Sequence, residues 1–271
     1  MISLGARIYG LAAVLLGLVG LAWGDFAAVW QPVPPDWPAR TALAYLWAGL
    51  FVSGGVMLQV RRTAPAGALL VAALILPFFL LWAKRVTGFP QILGTWSGFA
   101  EQVVMILGGI AAWLLCIATA ADPQERRLAR TVRLVFGLCL LAFGAAHFVY
   151  VRETAALVPP WLPPGTHFWA YATGLCHILA GLALLSGVRA ILAARLLTAM
   201  FASFGLLVWL PQLFATAGAH MSWAGNAVNA VLIGAAWALA DLLASQGGPT
   251  KKAGDFAPAL LPDPSILSGL I

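Results

Sequence analysis

The stretch APAGALLVAALILPFFLLW, residues 64–82, decides the fold because it contains no charged residue over the length of a membrane span. A helix needs about 20 largely apolar residues to cross the hydrocarbon core of a bilayer. Similar runs recur along the chain, and the breaks between them contain Pro, Gly or charged residues. We therefore predict an all-α polytopic membrane protein with eight transmembrane helices, over residues 8–30, 40–60, 65–86, 97–120, 131–151, 167–187, 190–214 and 222–244.

The composition excludes a soluble fold. Of the 271 residues, 62% are hydrophobic and 9% are charged, whereas a soluble domain has roughly 25% charged residues. The same figures exclude disordered and disulfide-scaffold classes. The net charge of +6 is not arranged as a basic stripe with aromatics, so nucleic acid is not an expected partner. Cys116, Cys139 and Cys176 have no metal-ligand spacing, and we predict no metal site.

The distribution of basic residues predicts how the helices are oriented. Eleven Lys and Arg residues fall on one side of the predicted spans and four fall on the other. Basic residues concentrate in cytoplasmic loops, so we expect a multi-pass protein of the bacterial inner membrane with both termini in the cytoplasm. We call the cytoplasmic side the arginine-rich side. The opposite, proline-rich side carries the segments 32–38 and 158–164.

The two halves of the chain resemble each other, which predicts an internal repeat. At an offset of 127, glycine and tryptophan positions match in order, and at an offset of 125 the tripeptide Val-Pro-Pro recurs. The matches are Gly10 with Gly137, Gly17 with Gly144, Trp82 with Trp209, Trp96 with Trp223, Gly98 with Gly225, and 33–35 with 158–160. We expect two parallel-related four-helix bundles, over residues 1–121 and 131–245, and a flexible cytoplasmic tail over 246–271.

Four stretches of the second half carry a family resemblance: GAAHF (144–148), VPPWLP (158–163), HFWAYATGL (167–175) and LAGLAL (179–184). They resemble the DoxX family of small four-helix membrane proteins. The first half is then a more divergent second copy. The resemblance implies a membrane subunit linked to quinone-coupled sulfur oxidation or to thiol-redox systems, and therefore a possible quinone ligand and a membrane or periplasmic redox partner. Many members have an acidic residue after the Thr-Gly pair, whereas this chain has His177 nearby.

Polar residues inside the spans suggest a ligand pocket in the second half. All four histidines lie there, and His177 is about 15 Å from the start of its helix at 1.5 Å per residue. An ionisable residue near the bilayer midplane is a functional candidate. The candidate ligand-binding residues are His177, His147, Asn226, Asn229, Gln212, Trp209 and Trp223. In the competing interpretation, the tryptophans form an interfacial belt and the polar side chains join helices.

Other polar residues suggest an ion pair. Glu101 lies about one turn inside its helix, near the expected level of Lys84 and Arg85, so we predict that these three pair on the proline-rich side; a proton-relay carboxylate is the alternative. A haem held by His147 and His177 is disfavoured, because the predicted spans place them about 9 Å apart in depth.

Three functions stay open at this level. The first is a redox-associated or quinone-interacting membrane subunit, which the family resemblance implies. The second is a carrier or permease for a small solute, suggested by the duplicated architecture. The third is a non-catalytic assembly partner. The sequence contains no hydrolase or nucleotide-binding signature, so an independent catalytic activity is not expected.

Overall fold

A computed structural model describes residues 2–117 and 122–246, and its regular elements there are all helical. The helices are α1 (Leu4–Trp23), α2 (Arg40–Met57), α3 (Ala64–Gly88), α4 (Leu93–Ile117), α5 (Pro123–Val149), α6 (Val151–Leu157), α7 (Thr166–Ser186), α8 (Ala190–Phe204), α9 (Leu210–Ala215) and α10 (His220–Gln246). A π-helical turn, Gly205–Trp209, joins α8 to α9. The polytopic all-α fold is confirmed. The tail expected over 246–271 lies outside the described residues, apart from Gln246 at the end of α10.

Seven segments of the described chain are long and apolar enough to cross a membrane, with α8, the π-helical turn and α9 counted as one. The remaining predicted span coincides with α2, which has 18 residues and begins with the charged Arg40. The mean hydropathy of α2 is too low for it to count among these seven. The helix α6 was not expected, and it continues the chain beyond α5 on the proline-rich side.

Two helix ends differ from the predicted spans for local reasons. The first span was expected to continue to residue 30, but α1 ends at Trp23 because Gly24 adopts the left-handed conformation with φ of 62°. The fifth span was expected to begin at residue 131, but the Asp122 side chain accepts a hydrogen bond from the backbone N–H of Gln124 and caps a helix that starts at Pro123. Hydropathy missed this start because the first turns of α5 are rich in arginine.

The chain between α1 and α2 folds inward as an irregular segment. Phe26 and Trp30 are buried. The carbonyl oxygen of Trp30 accepts hydrogen bonds from Gln102 Nε2 at 3.1 Å and from Trp82 Nε1 at 3.4 Å. These bonds satisfy a backbone group that has no helical partner, and they anchor the segment against α3 and α4.

The helices pack in the same order in both halves. In the first half α1 packs on α2 and α3 packs on α4, while in the second half α5 packs on α7 and α8 packs on α10. The halves meet because α1 contacts α10, α5 contacts α4, and α4 and α10 contact each other. The first and last helices of the described chain are therefore neighbours.

Glycine residues permit these close contacts. A Cβ atom at Gly234 would lie 2.4 Å from the Cα of Tyr9, and one at Gly108 would lie 2.4 Å from the Cβ of Ala235. Small residues at such positions allow membrane helices to approach backbone to backbone. The tight crossing of α1, α4 and α10 therefore depends on glycine at positions 108 and 234.

Candidate functional site: a groove between α7 and α8

A large groove lies between α7 and α8, with a volume of about 700 Å³. We call it the α7–α8 groove. It extends from the proline-rich side, where Pro159 and Trp169 line it, to Arg189 on the arginine-rich side. Most of its other lining side chains are apolar. They include Ala172, Cys176, Leu179, Ala180, Leu192, Ala193, Leu196, Leu197, Met200, Phe204, Leu207 and Val208.

The residue pattern of the two helices explains the groove. The face that α7 turns toward α8 carries Ala172, Cys176 and Ala180, which repeat every four residues and are all small. Small side chains cannot fill the space between the helices. Leu179 and Leu196 at its edge are more than half exposed, so the groove opens sideways toward the lipid.

Two histidine rings meet beside the groove. The rings of His147 on α5 and His177 on α7 have centroids 4.8 Å apart. His147 lines the groove, whereas His177 is 1% exposed and also contacts the rings of Phe143 and Phe201. The groove therefore reaches His147 directly, whereas His177 lies behind His147 and Phe204.

The expected 9 Å difference in depth between the two histidines was wrong. A Cβ at Gly174 would lie 2.7 Å from the Cβ of His147, so α7 extends well beyond the end of α5 on the proline-rich side. In addition, helical side chains lean toward the N-terminus of their own helix. Because α5 and α7 are antiparallel, the two side chains lean toward each other. Their contact leaves no space for a porphyrin between them.

The predicted asparagines lie away from the groove. Asn226 Nδ2 donates to the carbonyl oxygen of Trp209 at 2.7 Å, and Asn229 Nδ2 donates to that of Phe201 at 3.2 Å. Both side chains thus brace the segment of α8 and the π-helical turn from α10. This geometry fits the interpretation that they join helices, and it does not place them among the groove-lining residues.

We expect Asn226→Leu to destabilise the protein by about 1 kcal/mol, because an interhelical hydrogen bond in a membrane protein contributes about that much. The check is thermal unfolding in detergent, with Met221→Leu on the exposed face of α10 as the control. Equal melting temperatures for the two variants would contradict a bracing role.

The remaining candidates separate into two groups. Trp209 lines the groove at its proline-rich end, and its ring packs on Gly225 and against Trp30. Trp223 donates its indole N–H to the carbonyl oxygen of Ala217 and lies against Trp23. Gln212 is half-buried on α9. Neither Trp223 nor Gln212 is among the groove-lining residues.

The predicted ion pair between Glu101 and Lys84 or Arg85 is not formed. The Glu101 side chain instead lies beside the side chain of Trp30. Arg85 lies over the ring of Trp82 at 4.8 Å, and Lys84 is exposed. The neighbour of Glu101 is therefore Trp30 in the irregular segment, and not Lys84 or Arg85 on α3 as the sequence predicted. An ion pair on the same side is formed instead by Asp25 and Arg40.

Sequence reasoning missed the small residues of α7 as site residues. They recur every four residues, at Ala172, Cys176 and Ala180, which places them on one face of the helix. This spacing of small side chains was the signal that could have located the groove.

Within residues 2–117 and 122–246, no three His, Cys, Asp or Glu side chains come together as a metal site. Residues 128–210 match the DoxX family, and this range includes every residue that lines the groove. No curated protein and no solved structure matches the chain. The chain is therefore an integral membrane protein whose residues 128–210 are of the DoxX type.

Proposed function

We propose that the protein is a membrane subunit that binds one long-chain amphipathic molecule of the quinone or quinol type in the α7–α8 groove. The observation that carries the proposal is the groove itself. Its volume of about 700 Å³ lies within the range of about 300–1,000 Å³ that small-molecule sites occupy.

The lining of the groove suits a molecule with an apolar chain. Leucine, alanine and methionine side chains surround most of its length, and burying an apolar chain against them requires no hydrogen-bond partners. The groove also opens toward lipid at Leu179 and Leu196. A ligand dissolved in the bilayer could enter sideways without crossing water.

Polar atoms concentrate at one part of the groove. His147, Thr154, Thr173 and Ser203 lie toward the proline-rich side, and Arg189 lies at the opposite end. A head group would therefore be held near His147, with the chain directed toward Arg189. The quinone class comes from the DoxX family resemblance, in which some members serve quinone-coupled oxidation. We further propose an inner-membrane location with cytoplasmic termini, based on the count of basic residues.

The structure favours the other two candidate functions less. A carrier for a small polar solute needs a polar path, and the α7–α8 groove is mainly apolar. An assembly partner without a ligand needs no groove of this volume. Both alternatives predict that a long-chain quinone does not compete for the groove.

The proposal is tested by photo-crosslinking in liposomes with a diazirine-tagged decyl benzoquinone, followed by peptide mapping. We expect cross-links on α7 and α8 that excess untagged quinone suppresses several-fold. The helices α2 and α3 provide an internal control because they pack closely: the Trp47 indole donates to the carbonyl oxygen of Leu74, and a Cβ at Gly67 would lie 2.7 Å from the carbonyl oxygen of Gly54.

Cross-links on α2 and α3 should not respond to competition, since they report only contact with bulk lipid. Labelling of α7 and α8 that competition leaves unchanged would overturn the proposal. Labelling that is competed equally on both helix pairs would also overturn it.

A further inference from the structure

The hydrogen-bond partners of the groove's polar atoms indicate which kind of head group can bind. This inference rests on the proposed function and concerns the ligand of the same groove. The relevant side chains are His147, Thr154, Thr173 and Ser203, which line it toward the proline-rich side.

The imidazole of His147 has a defined tautomer. Its Nδ1 lies 2.8 Å from the carbonyl oxygen of Phe143. A carbonyl oxygen only accepts hydrogen bonds, so Nδ1 carries the hydrogen. The described chain places no carboxylate beside this ring, and a charged imidazolium in hydrocarbon is costly. The ring is therefore neutral, and its Nε2 is a hydrogen-bond acceptor.

His177 repeats this arrangement. Its Nδ1 lies 2.8 Å from the carbonyl oxygen of Thr173, so its Nε2 is an acceptor as well. Two neutral rings of this tautomer cannot donate from Nε2 to each other. The two rings are in contact, so each Nε2 faces a second acceptor. Among the described residues, no side chain donates a hydrogen bond to either Nε2 atom.

The hydroxyl groups of the groove do not supply such a donor. Thr173 Oγ1 donates to the carbonyl oxygen of Trp169 at 2.7 Å, Thr154 Oγ1 donates to that of Tyr150 at 2.9 Å, and Ser203 Oγ donates to that of Met200 at 2.7 Å. Each hydroxyl hydrogen is held by the side chain's own helix. Only the oxygen lone pairs remain available to a ligand.

At the level of the two histidines, the one donor among the groove-lining side chains is the thiol of Cys176, which donates only weakly. The stronger donors lie at other levels. Arg189 is at the arginine-rich end. The indole of Trp169 donates to Pro163. Trp209 is six residues beyond Ser203, about 9 Å along the helix. The nitrogen and oxygen atoms that the groove presents beside the histidines are therefore acceptors.

We propose that the α7–α8 groove selects long-chain ligands whose head group brings a hydroxyl donor, such as a quinol, a phenol or an alcohol, and that His147 Nε2 accepts this hydrogen. His177 is a positioning residue that packs against the His147 ring. The reduced, hydroxyl-bearing form of a quinone is then the preferred ligand.

The test compares 4-dodecylphenol with its methyl ether, which has the same chain and oxygen but no donor hydrogen. Dissociation constants are measured by native mass spectrometry of the full-length protein. We expect the phenol to bind about tenfold more tightly, as one hydrogen bond of about 1.4 kcal/mol would give. In His147→Leu the phenol should lose this advantage, while the affinity for the ether stays nearly unchanged.

The outcomes separate the two proposals. Equal binding of phenol and ether by the wild-type protein overturns donor selection but leaves the groove as a site. A tenfold preference that persists in His147→Leu overturns the role of His147. If neither compound binds, the proposed function fails as well. The wild-type comparison decides donor selection even if His147→Leu does not fold.

Discussion

Replacing Gly234 by leucine is expected to destabilise the protein by about 3 kcal/mol or more. A Cβ at this position would lie 2.4 Å from the Cα and 2.6 Å from the backbone nitrogen of Tyr9. Backbone atoms cannot move aside as a flexible side chain can, so α1 and α10 would have to separate. Overpacking of this kind typically costs about 1–3 kcal/mol and sometimes more. The measurement is thermal unfolding of the purified protein in detergent.

The matched control is Gly49→Leu. Gly49 is also a helical glycine, but a Cβ there would meet no atom within 4 Å. Both variants gain the same helix propensity over glycine, so their difference reports the contact between α1 and α10. Similar melting temperatures for the two variants would show that this crossing does not hold the halves together.

The sequence predicted the membrane-spanning helices because long apolar runs are sufficient to locate them. Runs such as 65–86 can only be helices in a bilayer, since every backbone hydrogen bond must be satisfied within the segment. Hydropathy carries no information on irregular structure. It therefore extended the first span through Phe26 and Trp30, which instead lie in the buried irregular segment that accepts a hydrogen bond from Gln102.

The two histidines illustrate a different limit. The sequence identified His147 and His177 as candidates, but it assumed that neighbouring helices end at the same level. The structure places Gly174 beside His147, and the side chains of antiparallel helices lean toward each other. Counting residues along one helix gives depth but not the relative shift of two helices. That shift follows from packing, which the sequence pattern does not show.

The predicted repeat gains support from contacts that match between the halves. A Cβ at Gly98 would collide with the ring of Trp82, and one at Gly225 would collide with the ring of Trp209. These two pairs correspond at the offset of 127. We propose on this basis that a duplicated unit produced both halves, and that the groove was retained or opened in the second half only.

Large side chains on the α7 face of the groove are expected to close it. Replacing Ala172 by tryptophan and Cys176 by phenylalanine would place two aromatic rings on the face of α7 that lines the groove. Ala172 is half-buried and Cys176 is exposed, and both line the open space. The added rings can therefore enter the groove without displacing packed neighbours, so the melting temperature should change little.

We expect the double variant Ala172→Trp, Cys176→Phe to weaken binding of decyl benzoquinone, and of its quinol, at least tenfold, a loss of about 1.4 kcal/mol. The rings would occupy the part of the groove of about 700 Å³ that the apolar chain needs. Ala42→Trp is the control because Ala42 is exposed on α2, where an added tryptophan meets lipid. Dissociation constants from native mass spectrometry provide the comparison. Unchanged affinity in a well-folded double variant would place the ligand elsewhere, because no chain of that length could share the groove with two aromatic rings.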